Sequence, residues 1–453
     1  MDQSAGALSA FDPHQYAVRN IAMTITGIVD ARGGAWRAPE SSPSTVLRHG
    51  LSAASLAAVS GAHFLSALIL LRHLPAREFG LVSFVMVVVA FGMSLNGALI
   101  SLPITRGLAV GQTAMAPACF QMNWLTCLGF AALLFGMLLL SAAPFRDALL
   151  LALYAAVFIF RGFARSVAFI DGRGAAAIRS DIVYGVLLTG ALGFWAALHR
   201  LSFTTTNMLL LLSALAALAP FGAKFFRTQF AALGGDPRRY GAVFRDVTRW
   251  SLAGVVLTEL TVNAHAYLVT LISGPRAFAL LALGTLLMRP AALMQSALPD
   301  LERPRLARAL AAKDDAALSR IAGHVRLSLC LAWLGNILLC AGLLAFLPAL
   351  VVKPNYGRTD VILVASLCGA IMLIRALRMP LAVLLQAAGA FRQLARISAA
   401  SAAVSLAATL ALLLAFGPVA SLGGIALGEL VILAGCAKGA RKHKQNSGIK
   451  GSP

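Results

Sequence analysis

From Gly50 to Lys438 the chain alternates apolar runs with short polar breaks. Each run is about 20 residues long, the length a helix needs to cross the hydrocarbon core of a bilayer. The pattern predicts twelve membrane-spanning segments: Leu51–Leu71, Phe79–Ser101, Cys119–Ser141, Ala148–Ile170, Ile182–Leu198, Phe203–Phe221, Ser251–Ile272, Ala277–Leu298, Leu327–Val351, Val361–Gln386, Ile397–Phe416 and Ser421–Lys438. Before them, residues 1–49 are polar and rich in Pro, Gly and Ser, and read as a disordered tail. The longest apolar run there, Ile21 to Val29, is too short to span a membrane.

The breaks alternate in character. Those after odd-numbered segments are short, such as Ser273–Arg276; those after even-numbered ones, such as Lys224–Arg249 and Pro299–Arg326, are longer and basic. Of 38 Lys and Arg, seven fall on the short-loop side, and Arg289, Arg375 and Arg378 are set aside as intramembrane candidates; the other 28 are counted to the opposite side, tails included. The positive-inside rule then places the basic side and both termini in the cytoplasm.

Composition agrees with the pattern. The chain is 59% hydrophobic and 12% charged, with mean hydropathy +0.82. Soluble domains are about 45–50% apolar and about 25% charged, so the expected class is an all-α polytopic membrane protein. A net charge of +21 in a soluble protein would suggest nucleic acid. Here the charge sits in short inter-segment loops, which argues for membrane topology and contact with anionic lipid, and against a nucleic-acid partner. The six cysteines are scattered through apolar runs without a Cys-x-x-Cys pair, so no disulfide, metal site or cofactor is expected.

The chain also repeats itself. At a constant offset, Arg77 aligns with Arg276, Phe79 with Phe278, Leu81 with Leu280, Asn96 with Gln295, Ala98-Leu99 with Ala297-Leu298, and Arg106 with Arg305. Six segments separate the copies, so both lie on the same membrane face. That is a parallel repeat, found in several transporter folds. It predicts two six-helix lobes around a central cavity, at 50–223 and 250–438, joined by a cytoplasmic linker at 224–249 and followed by a basic tail at 439–453.

Several stretches then resemble one family. The turn Leu74-Pro75-Ala76-Arg77-Glu78-Phe79-Gly80-Leu81-Val82-Ser83 is similar to the turn after the first helix of the Wzx-type polysaccharide (O-antigen) flippases. These belong to the multidrug/oligosaccharidyl-lipid/polysaccharide (MOP) exporter superfamily. The stretch Ala297-Leu298-Pro299 to Arg308 is similar to that family's segment after helix 8. Gln386-Ala387-Ala388-Gly389-Ala390-Phe391-Arg392 resembles the end of its helix 10, and Gly423-Gly424-Ile425-Ala426-Leu427-Gly428 the start of its helix 12. The resemblance implies a flippase of undecaprenyl-pyrophosphate-linked oligosaccharides in the bacterial inner membrane, working by alternating access. It implies membrane lipid and the polysaccharide polymerase and export proteins as neighbours.

A pyrophosphate crossing a bilayer needs a wet cationic cavity, and the arginine fork suits phosphate. An arginine inside a span costs about 2.5–3.5 kcal/mol on insertion scales, so it faces a cavity or a partner. Arg289 in segment 8 and Arg375 and Arg378 in segment 10 are the candidates, with Pro290 and Pro380 expected to kink their helices. Glu259 could neutralise an empty Arg289, bind a coupling proton or serve as packing; His63 and Asn96 could line the opposite wall. Arg161 and Arg165, one turn apart, read as interfacial anchors or as collectors of the headgroup at the cytoplasmic side.

Two other classes compete. A membrane-embedded polymerase or glycosyltransferase would carry its catalytic carboxylates on a substantial outer loop, and none of the predicted outer loops is substantial. A nucleotide-binding motif is also lacking, so no enzyme is expected. A drug or cation antiporter would need acids in its cavity, and the segments offer mainly Glu259 and Glu429.

Overall fold

All twelve predicted segments coincide with helices in the computed structural model, which describes residues 43–104, 116–170, 173–231, 233, 238, 240–312, 314–348, 356–388 and 390–446. Most of the polar N-terminal tail, part of the basic C-terminal tail and parts of the 224–249 linker lie outside the described residues. The helices are α1 (Pro43–His73), α2 (Ala76–Asn96), α3 (Ala116–Leu140), α4 (Phe145–Ile170), α5 (Gly174–Ala197), α6 (Phe203–Ala216) and α7 (Gly222–Ala231). They continue with α8 (Arg249–Val262), α9 (Ala264–Ile272), α10 (Pro275–Leu287), α11 (Arg289–Ala311), α12 (Asp315–Phe346), α13 (Arg358–Ala387), α14 (Phe391–Phe416) and α15 (Ser421–Asn446). A π-helical turn, Gly97–Ser101, extends α2. Among the described residues no strand is present.

Among the described residues nine helices are long and apolar enough to cross a membrane, and two bent pairs bring the number to eleven. In α1 the described apolar stretch, Ala58–His73, is shorter than these. The most apolar window, in α12, is only 17% buried inside the protein. Leu331, Leu338 and Phe346 on that helix point outward. An apolar surface of this extent is a lipid-facing surface, and the molecule is a multi-pass membrane protein.

Within the first half, α1 packs on α5, α3 on α4, and α4 on α6. Within the second, α12 packs on α13, and α15 packs on both α13 and α14. The α14–α15 contact uses small residues, as lipid-immersed helices do when no hydrophobic effect draws them together. Gly424 and Gly428 lie against Thr409, Ser405 and Ser401, and the Ser401 hydroxyl donates to the Gly428 carbonyl at 2.8 Å.

The halves meet where α2 packs on α10, the two helices that carry the repeated Arg-x-Phe-x-Leu turn. Gly80 sits against Pro275 and Ala279, and Phe84 meets the ring of Phe278 edge-on at 6.3 Å. The repeat found in the sequence is thus a physical seam.

Two spans are bent, segment 8 as Pro290 predicts and segment 7 without a proline to announce it. Segments 7 and 8 are not continuous helices. The first bends by 61° at Asn263, between α8 and α9, and the second by 58° at Met288, between α10 and α11. Pro290 stands at the start of α11, where it cannot bond the Leu286 carbonyl one turn back, and the break at Met288 leaves the Leu287 carbonyl without a helical partner as well. The free carbonyl of Leu287 is taken by Asn336 Nδ2 at 3.1 Å and by Cys340 Sγ at 3.4 Å. At the other bend, Ser405 Oγ donates to the Thr261 carbonyl at 3.1 Å. Bends inside a membrane persist when neighbours satisfy the released groups in this way. By contrast α13 runs unbroken through Pro380.

Candidate functional site

Between the halves lies a cavity of about 470 Å³. Its walls follow from helical periodicity. On α1 the lining positions Val59, His63, Ser66 and Leu70 recur every three or four residues, and on α4 Tyr154, Phe158, Arg161 and Arg165 do the same. The second half contributes Asn263 and His265 from the bend at α8–α9, and Phe278, Thr285 and Arg289 from α10 and the start of α11. Both bends therefore open onto the cavity.

Arg289 is exposed although the residues around it, Leu286, Leu287, Met288 and Ala291, are buried. It owes its exposure to the cavity that it lines. Among the described residues its side chain has no hydrogen-bond or ion-pair partner. Glu259 does not neutralise it: that carboxylate accepts a hydrogen bond from Tyr267 at 2.6 Å and is not part of the cavity wall.

Arg161 and Arg165 line the same cavity and share a carboxylate, Asp181 on α5. Arg161 pairs closely with Asp181 and donates from Nε to Ser180 Oγ at 2.9 Å; Arg165 Nε is 3.0 Å from Asp181 Oδ2. The Arg161 guanidinium also lies over the Tyr184 ring, 4.8 Å from its centre, and over Phe158 at 5.4 Å. Arg161 is buried, so it is part of the interior of the first half and not a surface anchor.

His63 also lines the cavity. Its Nε2 is 2.9 Å from the Tyr184 hydroxyl, which is 3.0 Å from the Tyr154 hydroxyl. Asn96, by contrast, is buried away from the cavity and donates to Asn123 at 2.7 Å, tying α2 to α3.

Arg375 and Arg378 do not line the cavity either. Both turn to Glu429 on α15, with Nε atoms 2.7 Å and 2.5 Å from its two carboxylate oxygens, and Glu429 is fully buried. This triad fastens α13 to α15 inside the second half. Expecting a substrate contact here from the sequence overlooked that a carboxylate more than fifty positions away could meet both arginines.

Asp181 is the cavity-lining residue that sequence reading missed. The fifth apolar run starts at Ile182, so Asp181 falls just outside it. In the structure α5 begins at Gly174, so Asp181 lies two turns inside the helix. The readable signal was the Arg161/Arg165 pair: two cations one turn apart within a span call for a buried anion. The formal charge of the described lining, three arginines and one aspartate with histidines neutral, is +2.

The charge is not evenly placed. Arg161, Arg165 and Arg289 lie in the half of the cavity nearer the basic face. Toward the short-turn face the lining becomes apolar, through Leu70, Phe79, Val82 and Phe278, and beyond it Gly80 packs against Pro275.

No family model matches the sequence, and no curated protein matches it. The fold does have counterparts among solved structures. An inward-facing multidrug resistance MATE family transporter of the MOP superfamily superposes with a TM-score of 0.63 at 12% identity, covering 87% of this chain and 96% of that one. Lipid II flippase MurJ in an inward closed conformation gives 0.63 at 9% identity, covering 87% of each chain. An outward-facing MATE family transporter gives 0.56 at 12% identity, covering 88% and 95%. The fold is that of MOP superfamily transporters, with their central cavity.

Proposed function

We propose that this protein is a flippase that carries an undecaprenyl-diphosphate-linked oligosaccharide across the bacterial inner membrane. The observation that carries the reading is the excess of cation in the described cavity lining: Arg161, Arg165 and Arg289, the last without a partner among the described residues, against Asp181, all in the basic-face half. A diphosphate is the load that this arrangement complements, through charge-assisted hydrogen bonds to guanidinium forks. The basic face is cytoplasmic on this reading, as the distribution of Lys and Arg in the loops argues. The anion enters from that face and rests at Arg289, while the polyprenyl tail stays in the bilayer. The seal between α2 and α10 then opens as the cavity closes at the basic face.

The antiporter alternative requires a carboxylate free to hold a cation. Asp181 is the acid in the described lining, and it already holds two guanidinium groups. That supports an anionic load over a cationic one.

The test is the lipid-linked sugar pool of a deletion strain, assayed by membrane side. A complete lipid-linked unit should accumulate on the cytoplasmic face. Complementation with Arg289→Ala should leave that accumulation in place while the variant inserts at wild-type abundance. A normal pool with normal polymer in the deletion strain would overturn the reading.

A further inference from the structure

We infer that the cavity holds a second, uncharged subsite, formed by Ser66 of α1 and His265 of α9, that takes the hydroxyl groups of the first sugars of the load. The inference rests on the flippase reading and adds to it which residues read the sugar.

Two observations carry it. Ser66 and His265 both line the cavity, from opposite halves of the molecule. They are 4% and 5% exposed, and Ser66 Oγ and His265 Nδ1 are buried with no hydrogen-bond partner among the described residues. A buried polar atom without a partner is costly, roughly 1–3 kcal/mol each, and is uncommon enough to need a reason. Of the other cavity-lining polar groups, Arg161 and Arg165 are engaged by Asp181 and His63 by Tyr184, while Arg289, without a partner among the described residues, is the cation assigned above to the diphosphate. Both residues line the same cavity; a rotation of the Ser66 hydroxyl and of the His265 ring turns the orphans to a ligand hydroxyl, which both donates and accepts and so satisfies either of them.

Position decides what kind of ligand. Ser66 and His265 each lie about two turns from the short-turn ends of their helices, at His73 and Ile272, a depth of roughly 10 Å. Arg289 and Arg161 lie roughly 20–24 Å from the corresponding ends of their own helices, at Pro275 and Phe145. The neutral pair is thus deeper than the cations by roughly 10 Å for a load entering from the basic face. A bare phosphate held by Arg289 falls short of it. A diphosphate carrying sugars spans the gap and places hydroxyls, not charge, beside Ser66 and His265.

The experiment compares two probes on the full-length protein in detergent, by the shift in melting temperature: undecaprenyl diphosphate and undecaprenyl diphosphate N-acetylglucosamine. Wild type should be stabilised more by the sugar-bearing probe, with at least a tenfold tighter half-saturation. Ser66→Ala with His265→Leu should respond equally to both probes, at the wild-type level for undecaprenyl diphosphate. Arg289→Ala should lose the response to both. If wild type does not distinguish the probes, or if the Ser66/His265 variant still does, the subsite is wrong while the flippase reading stands. If neither probe stabilises wild type, the flippase reading itself fails and the subsite with it. Should the double variant not fold, Ser66→Ala alone, a loss of one hydroxyl, gives the same comparison.

Discussion

Gly80 of α2 lies so close to Pro275 at the start of α10 that a Cβ on Gly80 would collide with the Pro275 carbonyl oxygen, and Ala279 is 3.3 Å from the same point. The two residues come from the two copies of the internal repeat, and on the proposed flippase reading their contact seals the short-turn end of the cavity. Pro275 meets Gly80 through backbone, which cannot rotate aside as a side chain can. Gly80→Val should therefore prevent the seal from closing. A cysteine introduced at Leu70, buried just beneath the seam, should react with a membrane-impermeant maleimide from the short-turn side in the Gly80→Val background and stay protected otherwise. The native cysteines are half-buried or buried and give little background. Equal protection in both backgrounds would show that the seam is not the seal.

The Arg161–Asp181–Arg165 cluster makes a second prediction. Removing one member of a buried ion pair leaves an uncompensated charge and costs about 3–5 kcal/mol. Asp181→Asn should lower thermal stability by that order, because two guanidinium groups then face each other without an anion. Arg161→Met combined with Asp181→Asn should be less destabilised than Asp181→Asn alone, and thermal unfolding of the two variants checks this. Additive losses would mean that the pair contributes nothing as a pair.

Glu429 should behave differently from Asp181 in function though alike in stability. Glu429→Gln strands Arg375 and Arg378 and should cost about 3–5 kcal/mol. Replacing all three by apolar residues, Arg375→Met, Arg378→Met and Glu429→Leu, should recover most of that loss and keep export, since none of the three lines the cavity. Export lost in a stable triple variant would return the two arginines to the transport path.

A fourth prediction concerns the bend at Met288. Asn336→Leu withdraws the amide that satisfies the Leu287 carbonyl and should cost roughly 1–3 kcal/mol, the penalty of an unpaired buried acceptor. Pro290→Ala supplies an N–H in register with the Leu286 carbonyl, one residue short of the orphaned acceptor, and should leave that loss in place. Melting curves of the single and double variants check this.

These residues also mark how far the sequence could be read. The twelve spans, their turns and the repeat are periodic or local features, set by chain length against bilayer thickness and by loop charge. Arg289 and His63 were legible because a polar residue within a span must face something. What it faces was not legible. Arg375 and Arg378 meet Glu429 across fifty positions, and Asn96 meets Asn123 on the neighbouring helix. The bends were illegible in a different way. Pro290 signalled one of them, yet Pro380 carries the same signal in a helix that stays whole. The bend at Asn263 has no proline, and its stabilising hydroxyl comes from Ser405, far along the chain.

The +2 lining has an electrical consequence. A diphosphate brings two or more negative charges, so cavity and load together are close to neutral, and the membrane potential exerts little force on the loaded form. The empty form keeps its positive charges within the membrane, where each one moved through the full potential is worth about 2.3 kcal/mol per 100 mV. With the interior negative, the voltage pulls the vacant cavity back toward the cytoplasm. On the proposed flippase reading, the same three arginines would both bind the cargo and make the return stroke the step that the cell's voltage powers.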